Sequence, residues 1–211
     1  NSTREALFLT EKADIAGADA FLVVAPYYNK PSQEGLFAHF DQIAKVTEKP
    51  IVLYSIPSRC GIEISTTTVK RLRDAHPHIC ALKEAGGRSS KVSETVVALD
   101  SEFTVLSGDD GLTLPFMACG AKGVVSVASN IIPQKVVNLV SLALNGDFTN
   151  GQKIHLQNYN FFTEIFCEPN PVPIKSLLHL KGIISSPEVR LPLCPPGESN
   201  QALLSNLAKS L

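Results

Sequence analysis

The feature that most limits the fold of this chain is a regular alternation of short apolar runs and longer amphipathic stretches. Five apolar runs begin about one strand-and-helix unit apart, at residues 20–25, 51–54, 79–83, 103–107 and 123–127. Helically spaced apolar residues follow them at 32–46, 66–75, 89–99, 112–119 and 134–145. Short, nearly continuous apolar strands that alternate with helices are typical of a parallel sheet covered by helices. The sequence therefore predicts an α/β fold with five parallel strands.

Side chains capable of chemistry follow the predicted strands. They are Tyr27 and Tyr28, Tyr54 with Arg59, Lys83, and Gly108 with Asp109. The carboxyl ends of parallel strands share one edge, and in a (β/α)8 barrel the catalytic groups gather there. This convergence favours a (β/α)8 TIM barrel, of which the chain would supply five strands.

The pattern changes after residue 146. Helical stretches are predicted at 148–166, 172–181 and 200–211, and prolines interrupt the tail at positions 169, 171, 173, 192, 195 and 196. We therefore predict two parts, a partial barrel over residues 1–146 and a C-terminal helical extension over residues 147–211.

Composition argues against several classes of function. The net charge of −1 gives no electrostatic support for binding nucleic acid or an anionic membrane surface, and no apolar stretch is long enough to span a bilayer. The five cysteines are odd in number and widely spread, with no C-x-x-C pair, which favours reduced thiols in the cytoplasm over disulfides or a zinc site. No glycine-rich nucleotide-binding motif follows any predicted strand. We expect no metal and no bound cofactor.

Lys83 is the most suggestive single residue. It ends the apolar run 79–83 and is followed by Gly86 and Gly87. A lysine amine set against apolar walls has its charged form disfavoured, so it could attack a carbonyl group. Taken alone, however, a lysine at a strand end is more often a solvated cap.

The other candidates also have simpler interpretations when each is taken alone. Tyr54 could be a packing tyrosine and Arg59 a surface residue in a turn, while Tyr27 and Tyr28 could anchor an interface. The pair at 109–110 could suggest a metal site, but a helix N-cap beside a first-turn acid is the better interpretation.

Five motifs, in order along the chain, change that balance. They are P-Y-Y-N-K-P-S-Q-E-G at 26–35, Y-S-I-P-S-R-C-G at 54–61, L-K-E-A at 82–85, L-S-G-D-D at 106–110 and E-P-N-P-V-P at 168–173. Together they resemble the motifs of the dihydrodipicolinate synthase family. This family belongs to the pyruvate-dependent lysine aldolases, which also include N-acetylneuraminate lyase. The resemblance covers essentially the whole chain.

The resemblance implies a reaction and a set of residues. Lys83 would form an imine with pyruvate, and the resulting enamine would add to aspartate semialdehyde in lysine and diaminopimelate synthesis. Tyr54 would relay protons with Tyr28, which would reach across a dimer interface, and Arg59 would hold the semialdehyde carboxylate. Gly108 and Val125 match positions that line the pyruvate pocket.

The same resemblance implies regulation and assembly. Asn1, Glu5 and Tyr27 match positions that bind the end product in lysine-sensitive members, with Glu5 pairing with the α-amino group of L-lysine. Glu5 also fits a capping box with Ser2, which would explain it without any ligand. Family members are commonly tetramers built as dimers of dimers, so we expect a homo-oligomer.

Several departures from the family pattern leave alternatives open. Ser55 and Cys60 replace an asparagine and a threonine of the motif. The five strands correspond to strands 4 to 8 of the family barrel, and no segment here matches the G-T-T-G-E motif that follows the second strand. We therefore expect that these 211 residues by themselves do not catalyse the condensation. Alternative functions are a lyase acting on sugar acids and a non-catalytic scaffold or oligomer partner.

Overall fold

The strands form one parallel sheet. A computed structural model describes residues 1–210 of the chain. The strands are β1 (Phe21–Val24), β2 (Ile51–Ser55), β3 (Ile79–Glu84) and β4 (Thr104–Ser107), and they lie in the sheet in that order. Every neighbouring pair is parallel. The predicted α/β fold with a parallel sheet is confirmed.

Helices fill the intervals between the strands and most of the tail. They are α1 (Thr3–Ile15), α2 (Gln33–Ala44), α3 (Pro57–Cys60), α4 (Thr66–Ala75), α5 (Ser89–Ala98), α6 (Thr113–Ala118), α7 (Pro133–Leu144), α8 (Phe148–Glu164), α9 (Val172–Leu180) and α10 (Glu198–Ser210). Ser2 and Ser32 cap α1 and α2 as predicted, accepting hydrogen bonds from the backbone N–H groups of Glu5 and Gly35. Among residues 1–210, no helix is both long and apolar enough to cross a membrane.

The fifth predicted strand, at 123–127, is reduced to a single bridge. Val124 pairs with Ser107 in the parallel sense, and the Val125 N–H donates to the Ser107 carbonyl at 2.8 Å. The chain then leaves the extended conformation, because a 3-10 turn begins at Ala128. The described residues therefore hold four strands and one isolated bridge rather than five full strands.

The contacts divide the chain into two compact units. The first comprises Asn1–Gly108 and Pro115–Val125, and the second comprises Asp109–Leu114 and the chain from Ser126 onward. In the first unit, Leu53, Leu82 and Val105 lie buried on one face of the sheet, and α1, α2, α4 and α5 pack in sequence against one another. The predicted boundary at residues 146 and 147 stays a prediction.

The second unit is helical. In it α7 packs against α8, and α9 packs against α10. Its core includes apolar side chains that are almost wholly buried: Leu139, Phe161, Phe162, Ile165 and Leu177. All of the predicted catalytic and pyruvate-binding residues lie in the first unit, so the sheet is what positions them.

Candidate active site

Strand register brings Tyr54 and Lys83 side by side. The two residues are direct partners across β2 and β3, and Leu106 of β4 is the next partner of Lys83. Successive side chains of a strand point to opposite faces. The face that carries Tyr54 and Lys83 is therefore the one opposite the buried Leu53 and Leu82, and both site residues are partly exposed there.

The lysine amine lies over the tyrosine ring. Lys83 Nζ is 3.9 Å from the centroid of the Tyr54 ring. Burial raises the pKa of the Tyr54 phenol, while the nearby Arg59 guanidinium acts in the opposite direction. The phenol therefore stays protonated near neutral pH and can donate a hydrogen bond beside the amine.

Because Gly108 has no side chain, it leaves space for the aliphatic part of the Lys83 side chain, called its stem below. A Cβ atom added at Gly108 would lie 2.7 Å from Ala85 Cβ and 3.1 Å from Lys83 Cε. The Gly108 N–H donates to the Glu84 carbonyl at 2.8 Å, which fixes this close approach. Val125 is tied to Ser107, the residue before Gly108, through its own N–H. Gly108 thus adjoins Lys83, and a larger side chain there would press on the lysine.

The Arg59 loop is a short helix that the sequence analysis did not foresee. Pro57 occupies the first turn of α3, and Gly61 ends the helix in the left-handed conformation at φ +70°. Cys60 is buried, and its thiol donates to the Ala25 carbonyl at 3.1 Å. Arg59 itself is exposed. The loop thereby holds Arg59 at the edge where β2 ends.

The two residues that depart from the family motifs both make local contacts. Ser55 is fully buried, and its hydroxyl accepts a hydrogen bond from the Ile64 N–H at 3.3 Å. Cys60 ties the Arg59 loop to the end of β1. Each substitution therefore supports the loop rather than leaving a buried polar group without a partner.

The Tyr27–Tyr28 loop has an unusual backbone. Tyr28 has φ +73° and Lys30 has φ +45°, although neither residue is glycine. Such conformations cost free energy and concentrate at functional sites. The Tyr28 side chain is 88% exposed. This exposure leaves the phenol accessible at the molecular surface.

Asn1, Glu5 and Tyr27 line one cavity of about 430 Å³ between α1 and β1. His39 of α2 also lines it, and burial lowers the pKa of His39 to about 4. The Thr3 hydroxyl and His39 Nδ1 are hydrogen-bonded at 2.9 Å. The cavity therefore has an acidic group, a phenol and a neutral imidazole on its walls.

Asp109 and Asp110 have different roles. Asp109 caps the 3-10 turn at Asp110–Leu112 by accepting a hydrogen bond from the Gly111 N–H at 2.9 Å. Asp110 is buried and accepts hydrogen bonds from the backbone N–H groups of Val127 and Ala128 at 2.9 and 3.2 Å. Sequence reasoning predicted the cap, and it missed the long-range role of Asp110.

Two further residues of the quoted motifs were also missed. Glu84, directly after Lys83, is fully buried. Gln33, at the start of α2, donates from its amide to the Glu63 carbonyl and accepts from the Ser65 N–H and the Thr68 hydroxyl. Both belong to motifs singled out above, but no local pattern indicates their long-range contacts.

Comparison with known proteins agrees with the resemblance. The profile of the Dihydrodipicolinate synthetase family matches residues 1–211. A 4-hydroxy-tetrahydrodipicolinate synthase of Sulfurihydrogenibium sp. (strain YO3AOP1) is 48% identical over 209 residues, which cover 99% of this chain and 71% of the relative.

Solved structures give the same result. The crystal structure of dihydrodipicolinate synthase from Aquifex aeolicus superposes with a TM-score of 0.97 at 44% identity, covering 100% of this chain and 71% of that one. The enzyme from Cyanidioschyzon merolae, solved with lysine bound, superposes with a TM-score of 0.93 at 37% identity, covering 99% of this chain and 70% of that one. The sequence and the parallel sheet agree with these matches: the chain belongs to the dihydrodipicolinate synthetase family.

Proposed function

We propose that Lys83 forms the imine with pyruvate and that Tyr54, Tyr28 and Arg59 assist the reaction. The function of the family is the condensation of pyruvate with aspartate semialdehyde in lysine biosynthesis, a lyase activity. The observation that carries the assignment of residues is the position of Lys83. Its amine lies over the Tyr54 ring at the carboxyl edge of a parallel sheet, beside a glycine that leaves room for it.

The chemistry needs the amine of Lys83 as nucleophile and a neutral phenol on Tyr54. The Lys83 nitrogen attacks the ketone carbon of pyruvate, and loss of water gives an imine. Once protonated, the imine accepts the electron pair left when the methyl group loses a proton, and the resulting enamine carbon bonds to the aldehyde carbon of the second substrate. Because burial keeps the Tyr54 phenol protonated, it passes protons in a hydrogen-bonded relay instead of acting as a free base. The covalent imine makes a separate cofactor unnecessary.

The test is covalent trapping. Incubation of the intact protein with pyruvate and borohydride should reduce the imine to a stable secondary amine. Peptide mapping by mass spectrometry should then find the adduct on Lys83. An adduct on another lysine would contradict the assignment.

Arg59 binds the carboxylate of the aldehyde substrate in this proposal. Its guanidinium is exposed at the edge of the site and can form two parallel hydrogen bonds to a carboxylate. Loss of such a pair costs about 1.5–3 kcal/mol, or roughly 10- to 100-fold in kcat/KM. We expect Arg59→Ala to lower kcat/KM for aspartate semialdehyde by that factor, while imine formation with pyruvate is nearly unchanged.

A graded series sharpens this experiment. Arg59→Lys keeps the charge but loses the paired geometry, so it should fall between wild type and Arg59→Ala. Arg71→Ala is the matched control, because Arg71 forms a surface pair with Glu34 and should leave both steps unchanged. If Arg59→Ala slowed imine formation as much as condensation, the division of roles would be wrong.

The cavity lined by Asn1, Glu5 and Tyr27 is the proposed site for L-lysine. Its carboxylate, Glu5, offers a partner for an α-amino group, and a family relative has been solved with lysine bound. We expect calorimetry to detect L-lysine binding to the intact protein at millimolar concentration or below. Glu5→Gln should weaken this binding by about 10-fold, because the charge-assisted contact is lost. Glu11→Gln, an exposed change on the same helix, should not.

Tyr28 fits a role at an interface between copies of the chain. Its side chain is 88% exposed, on a backbone held at φ +73°, and a strained conformation persists only where the surroundings impose it. We propose that Tyr28 enters the active site of a neighbouring copy in a homo-oligomer assembled as a dimer of dimers.

The sheet is proposed to be part of a (β/α)8 barrel. Strands β1 to β4 and the 123–127 segment would be strands 4 to 8, and residues 147–211 would be the helical extension. The strands lie in the sheet in their order along the chain and are all parallel, which supports this proposal.

A cytoplasmic location is proposed as well. It is supported by the five free cysteines.

A further inference from the structure

Glu84 lies directly behind the proposed catalytic lysine. It follows Lys83 in β3, so its side chain points to the opposite, helix-covered face of the sheet. Its register partners on the neighbouring strands are Ser55 and Ser107. All three side chains are fully buried, at 0% exposure. They form a row of polar groups within an otherwise apolar layer.

The carboxyl group of Glu84 holds the turn that follows the strand. Oε1 accepts a hydrogen bond from the Gly86 N–H at 2.6 Å. Oε2 is buried and has no hydrogen-bond partner among the described residues. A Cβ atom added at Gly86 would lie 2.5 Å from Glu84 Oε1 and 3.2 Å from Glu63 Oε1. The turn therefore wraps closely around the carboxyl group.

This turn touches the site through Ala85. The Ala85 N–H donates to the Ser55 carbonyl at 2.9 Å, and the Gly108 N–H donates to the Glu84 carbonyl at 2.8 Å. The hypothetical Gly108 Cβ lies 2.7 Å from Ala85 Cβ and 3.1 Å from Lys83 Cε. A shift of the turn would therefore change the position of Ala85 relative to Gly108 and the Lys83 stem.

We propose that Glu84 is a positioning residue for imine formation, which it supports by fixing the Ala85–Gly86 turn and thereby the stem of Lys83. The inference rests on the proposed role of Lys83. It assigns a task to a buried carboxyl group that has no part in the chemistry itself. Misplacing a reacting group by about 1 Å can cost roughly 100-fold in rate, so a small shift of this turn is enough to matter.

The surroundings of Glu84 make its contribution depend on pH. Burial raises the pKa of Glu84 to about 7; the Gly86 N–H, Lys91 and Arg88 act to lower it, and Glu63 acts to raise it. The neighbouring strands contribute Ser55 and Ser107, which do not titrate in this range. Glu84 is thus largely protonated at pH 6 and ionised at pH 8. The ionised carboxylate accepts the Gly86 hydrogen bond more strongly, because charge-assisted hydrogen bonds are shorter and stronger.

The test compares wild type with Glu84→Gln, which has the size of the protonated acid but cannot ionise. The measured quantity is the initial rate of borohydride-trapped pyruvate adduct at Lys83, at saturating pyruvate, from pH 6 to pH 8. Any pH dependence that the two proteins share, such as that of the borohydride trapping step, cancels in the ratio of their rates. We expect the ratio of wild type to Glu84→Gln to rise from about 1 at pH 6 to about 3–10 at pH 8.

Two further variants complete the design. Glu94→Gln removes the same charge from an exposed position on α5. The ratio of the wild-type trapping rate to the Glu94→Gln rate should therefore not change between pH 6 and pH 8. Gly86→Ala disturbs the same contact while keeping every charge, and Gly86 has no left-handed backbone that alanine would strain. It should slow trapping at pH 8 by about 3-fold or more, which keeps the inference testable if glutamine at position 84 prevents folding.

The outcomes separate this inference from the proposed function. A flat ratio for Glu84→Gln, or Gly86→Ala trapping at the wild-type rate, would overturn the positioning role while Lys83 remained the trapped lysine. A change only in thermal stability would show that Glu84 is structural. Absence of an adduct from wild type as well would overturn the proposed function and this inference with it.

Discussion

Replacement of Lys83 by arginine should abolish the trapped pyruvate adduct and lower kcat by about 1000-fold or more. In the native protein Lys83 Nζ lies 3.9 Å from the centroid of the Tyr54 ring. An arginine guanidinium can replace it in this cation–π contact, because it also carries a positive charge. The guanidinium, however, cannot act as the amine that attacks the ketone. Removal of a covalent nucleophile is among the largest single losses seen in enzymes, because the remaining groups act only as a unit with it.

The comparison that isolates this effect is Lys122→Arg. Lys122 is exposed and precedes the 123–127 segment, so the Lys122→Arg substitution makes the same chemical change away from the site. Its kcat and adduct yield should match wild type. Substantial activity in Lys83→Arg, with an adduct on another residue, would show that Lys83 is not the nucleophile.

The local pattern of the sequence predicts the elements better than it predicts their limits. The runs at 20–25, 51–54, 79–83 and 103–107 all contain strands, as their short length and flanking turn residues favour. The run at 123–127 looks the same but forms one bridge. Asp110, 17 and 18 residues earlier, accepts hydrogen bonds from the N–H groups of Val127 and Ala128 at the end of this run, a contact that a local pattern does not reveal.

The site shows the same limit. Motif order and strand ends predicted that Lys83 and Tyr54 would lie on one edge of the sheet. Their direct pairing depends on the register of β2 and β3, which shifts between Ile51 and Val52. Register is set by packing over the whole sheet rather than by the residues at its end.

Glu84 illustrates what the alternation of side chains along a strand can and cannot predict. Since Lys83 faces the site, the next side chain, that of Glu84, lies on the other face of the sheet. An acidic residue at that position would ordinarily be taken as exposed, because carboxylates are rarely buried without a partner. The Gly86 N–H gives Oε1 of the buried carboxyl group a hydrogen-bond partner, and the close fit of Gly86 against that oxygen is visible only once the turn is known.

The second large effect is expected from Tyr54→Phe, which should lower kcat by about 100- to 1000-fold with little change in thermal stability. The substitution removes the phenol oxygen and keeps the ring that lies under Lys83 Nζ, so the packing of the lysine is preserved. A positioned proton-transfer group typically contributes 10²- to 10⁴-fold, and in the proposed mechanism the partly buried, protonated phenol of Tyr54 supplies it. Tyr54→Leu, which loses the ring as well, separates the two roles: it should also reduce adduct formation through misplacement of the lysine. Tyr159→Phe, which removes a phenol from the partly exposed surface of α8, is the matched control and should behave as wild type.

The pH dependence gives a further check on Tyr54. Because burial raises the pKa of Tyr54 above its ordinary value near 10, the kcat of the wild-type protein should show no change caused by ionisation of Tyr54 between pH 6 and pH 9. Steady-state kinetics across that range, with borohydride trapping of each variant, would test the assignment: wild-type kcat in Tyr54→Phe would remove Tyr54 from the relay, and equal losses in Tyr54→Phe and Tyr159→Phe would indicate an effect on folding.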